Sequence, residues 1–108
     1  MLRTDALRRR LTWTMAALRS LMDFIVDNSA PGLESHVIAD LFDRMIWVFA
    51  DNGGALLAVV REWLDQGDDL RRVKIGLAMQ EAFVYARRTD IEEAFARLAR
   101  RYPEVGDA

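Results

Sequence analysis

The stretch LESHVIADLFDRMIWVFA (residues 33–50), followed by DNGG (51–54), decides the fold class. Val37, Ile38, Leu41, Phe42, Met45, Ile46 and Phe49 recur at steps of three and four, the spacing that collects side chains on one side of an α-helix. Glu34, Asp40, Asp43 and Arg44 occupy the other side. Asn52 and the two glycines after it tolerate the left-handed backbone in which helices end. Stripe and stop therefore agree on a helix over about 33–50.

The same pattern extends in both directions. Upstream, Asn28-Ser29-Ala30-Pro31-Gly32 is a run of turn formers. It closes a first helix expected from about Thr4 to Asp27 on the line Leu7, Leu11, Thr14, Leu18, Leu21 and Ile25, widened by Trp13, Ala17 and Phe24. Downstream, a third helix over about 55–65 places Leu56, Val60, Trp63 and Leu64 together. Gln66-Gly67-Asp68-Asp69 ends it, with Asp68 or Asp69 as the next cap.

The fourth helix, about 70–88, is the most apolar and is expected to be central. It carries Leu70, Val73, Leu77 and Val84 on one line and Ile75, Met79 and Phe83 on another. Thr89-Asp90-Ile91-Glu92 has the form of a capping box. A fifth helix then runs to about Tyr102 on Ile91, Phe95, Leu98 and Tyr102, Pro103 ends it, and residues 103–108 are expected to form a loose tail. No segment alternates apolar and polar residues as strands do. The expectation is an all-α single domain spanning 1–108, a compact bundle of about five helices joined by short loops.

Composition narrows the chemistry. Hydrophobic residues make up 52% and charged residues 30%, with 2 Pro and 6 Gly, as in a helical globular chain. There are 0 Cys, which removes disulfides, thiolate ligands and thiol nucleophiles. The longest apolar run, Ile75 to Ala86, contains Gln80 and Glu81 and is too short to span a bilayer. No signal peptide is read at the N-terminus, so the expected setting is cytoplasmic.

The net charge of -2 is unevenly spread. Residues 1–22 hold five Arg against Asp5, residues 23–69 hold ten acids against Arg44 and Arg61, and residues 70–108 hold eight bases against six acids. An acidic middle between basic ends calls for neutralisation inside the fold or across an interface. A nucleic-acid binder more often shows one dominant basic surface.

His36, Asp40 and Asp43 line one helix face, but a metal site needs ligands from more than one element, so a solvated acidic face is expected. Glu81 inside the apolar run is the one carboxylate worth watching as an acid or base; the plainer reading is a wet stripe shared with Arg88. Ser20, Ser29 and Ser35 have no nucleophile context, and His36 lies about 100° around the helix from Ser35. Gly53-Gly54 lacks the residues of a phosphate loop. No catalytic residue, metal or cofactor is expected, and the chain is read as not an enzyme.

Arginines come in groups: Arg8-Arg9-Arg10, Arg71-Arg72, Arg87-Arg88 and Arg100-Arg101. The last two groups suit final helix turns, where the dipole favours cations. Arg8, Arg9 and Arg10 have no such role and are assigned to an acidic surface of a partner or of this fold. Trp63 sits on its stripe and is expected in the core. Trp13 and Trp47 lie off theirs, as interface anchors do, although a wider core would also hold them.

Ala82, Tyr85, Ile91, Ala94 and Leu98 are spaced like the small, aromatic and apolar positions of one tetratricopeptide repeat. About a quarter of the chain thus resembles a single such repeat, which implies a packed helix pair. Arg101 stands where the motif has a small residue, Gly106 where it has proline, and a second copy is missing. No family is assigned on these positions.

The sequence thus points to a non-catalytic helical interaction module, an adaptor, chaperone, inhibitor or assembly subunit that binds a protein partner or itself. Trp13, Trp47, Arg8, Arg9 and Arg10 are the expected partner-binding residues, and no membrane contact is expected. The alternative is a nucleic-acid-associated module using Arg8, Arg9, Arg10, Arg71 and Arg72 on phosphates.

Overall fold

Helix α1 (Met15–Asn28) begins where Thr14 turns its hydroxyl to accept the Ala17 N–H at 3.1 Å. The computed structural model describes residues 14–80 and 84–106. Thr14 itself is extended, with ψ of 155°, so a single helix from Thr4 to Asp27 does not run through this point. A threonine oxygen competes for backbone donors and serves better as a cap than in a helix interior. The buried line is Leu18, Met22 and Val26, while Leu21 and Ile25 sit at its edge and Phe24 is exposed. The helix is turned from its expected orientation because the neighbour it packs on is α3 (Gly54–Gln66).

Helix α2 (Ser35–Met45) continues as a tighter turn, with the Trp47 N–H on the Arg44 carbonyl and the Val48 N–H on the Met45 carbonyl. The expected stop holds and does a second job. The Asp51 carboxylate accepts from the Gly53 and Ala55 N–H groups at 3.0 and 2.9 Å, capping α3 from the turn before it. Gly53 has φ of 82°, and a Cβ there would come within 2.8 Å of Ile46, so both conformation and space require glycine.

Helix α3 is the central one, in place of the expected fourth helix. It packs against α1, α4 (Leu70–Ala78) and α5 (Arg88–Arg101) and buries Leu56, Val59, Val60, Trp63 and Leu64. Its approach to α4 is close: a Cβ on Gly76 would lie 3.0 Å from Val60 and 3.1 Å from Leu64. Trp63 is in the core as expected, and Asp69 caps α4 by accepting the Arg71 N–H.

Helix α4 ends at Ala78, ten residues before its expected end, although no Gly or Pro stands there. Met79 is extended, and the Gln80 N–H leaves the helix for the buried carboxylate of Asp43 on α2, at 3.1 and 3.3 Å. A charged acceptor held in the protein outcompetes one more neutral turn bond. Asp43 thereby faces inward, not onto the solvated acidic face read from the sequence. Residues 84–87 are bends, so the helix pair implied by the repeat-like spacing is not formed.

The capping box is likewise absent. Helix α5 starts at Arg88 without a side-chain cap, and Glu92 is held by Arg88 at 3.1 Å instead of reaching back to Thr89. Arg87 and Arg88 therefore open a helix, where they were expected to close one. Pro103 ends α5 as expected, but the residues after it are not loose. They form α6 (Pro103–Gly106), pinned by buried Val105, by the Tyr102 hydroxyl donating to the Gly67 carbonyl at 2.7 Å, and by the Lys74–Glu104 pair at 3.0 Å.

The fold is all-α, with six helices and no strand among the described residues. One core cluster joins α1, α2, α3 and Ile75 of α4 and includes Phe42; another joins Leu64, Val73, Tyr85, Ala94, Leu98 and Val105, and Val84 packs on both. Phe42 is fully buried, so Phe42→Ala is expected to cost about 3–5 kcal/mol of stability. Val37→Ala, on the far side of the same helix, should stay within about 0.5 kcal/mol. Urea unfolding of the two variants checks both.

Candidate interaction surface

Helix α2 carries apolar residues on two opposite sides. At about 100° per residue, Ile38, Ala39, Phe42 and Ile46 point toward α4 and the core, where each is 2% exposed or less. Val37 and Leu41 point away and are each 43% exposed, with Leu33 before them and Val48 beyond them also exposed. Trp47, at 63%, borders this outer side. The wide stripe read from the sequence is therefore split between a buried and an exposed side. One helix packed on one neighbour buries an arc of about 100° or somewhat more, and the apolar set of α2 covers roughly twice that.

Beside the outer face, Asp40, Asp43, Arg44, Trp47 and Gln80 line an open cleft of about 300 Å³. Asp43 forms its inner wall and fixes the chain leaving α4 alongside Trp47. Asp40 and Arg44 sit one turn apart on the rim, and neither takes part in an ion pair found among the described residues. His36 turns to Glu34, at 3.0 Å, not toward Asp40 and Asp43. Among the described residues no group of three ligating side chains converges, and no helix is long and apolar enough to cross a membrane.

Elsewhere, several described arginines of the flanking segments meet the acidic middle of the chain within the fold. Arg19 grips Glu62 with two bonds of 3.0 and 2.8 Å, and the Glu62 carboxylate raises the pKa of the guanidinium. Arg72 stacks over Trp63 at 5.5 Å and donates to Asp69, Asp27 and Asp23. Burial opposes its charge, but the three carboxylates outweigh that and its pKa is raised. Arg71 donates to the Ser29 hydroxyl at 2.7 Å and the Ala30 carbonyl at 3.1 Å. Two of the five arginines assigned to phosphates in the nucleic-acid reading are thus spent on internal acceptors.

Of the expected partner-binding residues, Trp47 is at the surface as anticipated. Trp13, Arg8, Arg9 and Arg10 lie outside the described residues, as does Glu81. Leu33, Val37, Leu41 and Val48 are exposed as well; Val37 and Leu41 belong to the α2 stripe, whose excessive width was the available signal. Compared with known protein families, characterised proteins and solved structures, the chain matches none.

Two electrostatic tests follow from these contacts. Removing Arg72 leaves Asp23, Asp27 and Asp69 facing one another, so Arg72→Ala is expected to cost about 2 kcal/mol, reduced from a buried-pair value because the carboxylates are partly solvated. Arg71→Ala should cost less when both are unfolded in urea. Tyr85 is buried, its hydroxyl donates to Asp65 at 2.6 Å, and its pKa is pushed up from 10.0 to about 12, first by burial and then by that carboxylate, with Arg97 opposing. A raised pKa stabilises the fold below pH 10, and that contribution is lost as pH rises through about 12. Absorbance titration should show a phenolate component near pH 12 that vanishes in Tyr85→Phe.

Proposed function

We propose that this chain is a non-catalytic protein-interaction module that binds a protein partner, or a copy of itself, through the outer face of α2. The observation that supports it most is that Val37 and Leu41 on α2, and Leu33, Trp47 and Val48 in the segments flanking it, are all exposed. Scattered apolar residues are ordinary on a surface, whereas a grouped apolar face edged by charge and a large aromatic marks a docking site. Trp47 is the anchor, with room beside it in the cleft toward Asp40 and Gln80. Arg8, Arg9 and Arg10 steer an acidic partner surface and Trp13 supplies a second anchor in the same reading. Its setting is the cytoplasm, in keeping with a sequence of 0 Cys.

The test compares wild type with Trp47→Ala and with the pair Val37→Ser and Leu41→Ser, using capture of partner protein from the source cells, self-association and thermal melting. Losing a large aromatic anchor costs about 2 kcal/mol or more, roughly a thirtyfold fall in affinity. Melting temperatures should stay within about 2 °C, since none of the altered side chains is in the core. Unchanged capture, or a melting temperature many degrees lower for Trp47→Ala, overturns the proposal.

A further inference from the structure

We infer that the occupant of the α2 face is a second copy of this chain, docked α2 against α2 about a two-fold axis with the helices antiparallel. The inference rests on the reading of that face as an interaction surface and adds who covers it. It starts from the two charges on the rim. Asp40 and Arg44 are one turn apart with the acid first, the order that suits an ion pair within a helix. Among the described residues no such pair is formed, and neither charge meets another ionic partner there.

Symmetry supplies an ionic partner for each. In an isologous pair the same patch serves both copies, and residues at equal distances on either side of the axis face each other. With the axis level with residue 42, Asp40 of one copy faces Arg44 of the other, and the reverse pair forms by the same operation. At about 100° per residue, Asp40 and Arg44 fall toward one edge of the outer face and Leu41 toward the other, with Trp47 and Val48 in the turn that follows α2. An axis perpendicular to the helices keeps each edge on its own side, so charge meets opposite charge and apolar meets apolar. The same register brings Leu41 beside its own counterpart near the axis and sets Val37 against Val48 and Trp47 of the second copy.

One acid and one base therefore make the face complementary to itself, with no like charges opposed. A single helix face per copy is at the small end of specific interfaces. The expected behaviour is a concentration-dependent monomer–dimer equilibrium, not a permanent dimer.

Sedimentation of the full chain from about 10 µM to about 1 mM measures it. The wild type should move toward twice the monomer mass as concentration rises. Asp40→Arg alone and Arg44→Asp alone each place like charges opposite one another and should weaken the dimer about tenfold or more. The double variant Asp40→Arg with Arg44→Asp restores both pairs and should return to within about threefold of wild type. Circular dichroism and melting confirm that all four are folded. A wild type that stays monomeric throughout overturns the inference, as does a dimer indifferent to the single reversals or a double variant as weak as the singles. If the wild type is monomeric yet Trp47→Ala abolishes capture of another protein, the second copy is ruled out and the interaction face stands; if capture is also unaffected, both fall.

Discussion

Arg72 joins more of this molecule than any other charged side chain described. Its guanidinium draws together Asp23 and Asp27 from α1, Asp69 from the turn before α4, and the ring of Trp63 from α3. Asp69 is also the cap of α4, so the contact that holds α1 in place lies at the start of the helix that α2 and α3 share. Trp63 in turn packs on Phe42 of α2 at 6.0 Å between ring centres. A three-carboxylate acceptor set repays the removal of one guanidinium from water, and its fork geometry fixes the directions of the elements that supply the acceptors.

That hub also disposes of the charge pattern. The excess of acids in the middle of the chain is met by Arg19, Arg72 and Arg97 from the flanking segments, all within the described fold. Among the described charges without an ion pair, Asp40 and Arg44 stand on the far side of α2, where they edge an apolar face. The inward role of Asp43 accentuates the contrast: three residues after Asp40, it is buried on the backbone of the chain leaving α4. One helix thus devotes one side to holding the fold and leaves the other for something outside it.

Helix positions and most of their punctuation were legible from residue order. The stop at Asn52-Gly53, the Asp69 cap and the burial of Trp63 follow from backbone conformation, short-range hydrogen bonding and apolar spacing, which act within a few residues. The early end of α4 was not legible, because its cause is a carboxylate far away in the chain. The failed capping box has a different, local source: the spacing offers Glu92 as a reach-back acceptor, but Arg88 one turn before holds it. The ordering of 103–106 is not legible because Val105 alone carries no periodic signal, and the anchors Gly67 and Lys74 are thirty or more residues from the groups they hold.

For the surface, residue order determined that α2 has more apolar side chains than one packing contact can bury, and that Trp47 stands off its stripe. It did not determine which of them face out. That choice was made by tertiary structure: α4 covers the side of Ile38, Phe42 and Ile46, and the Asp43–Gln80 bond locks the helix in that rotation. A helical stripe is a local property of spacing, whereas the side that is buried depends on which distant segment arrives to cover it.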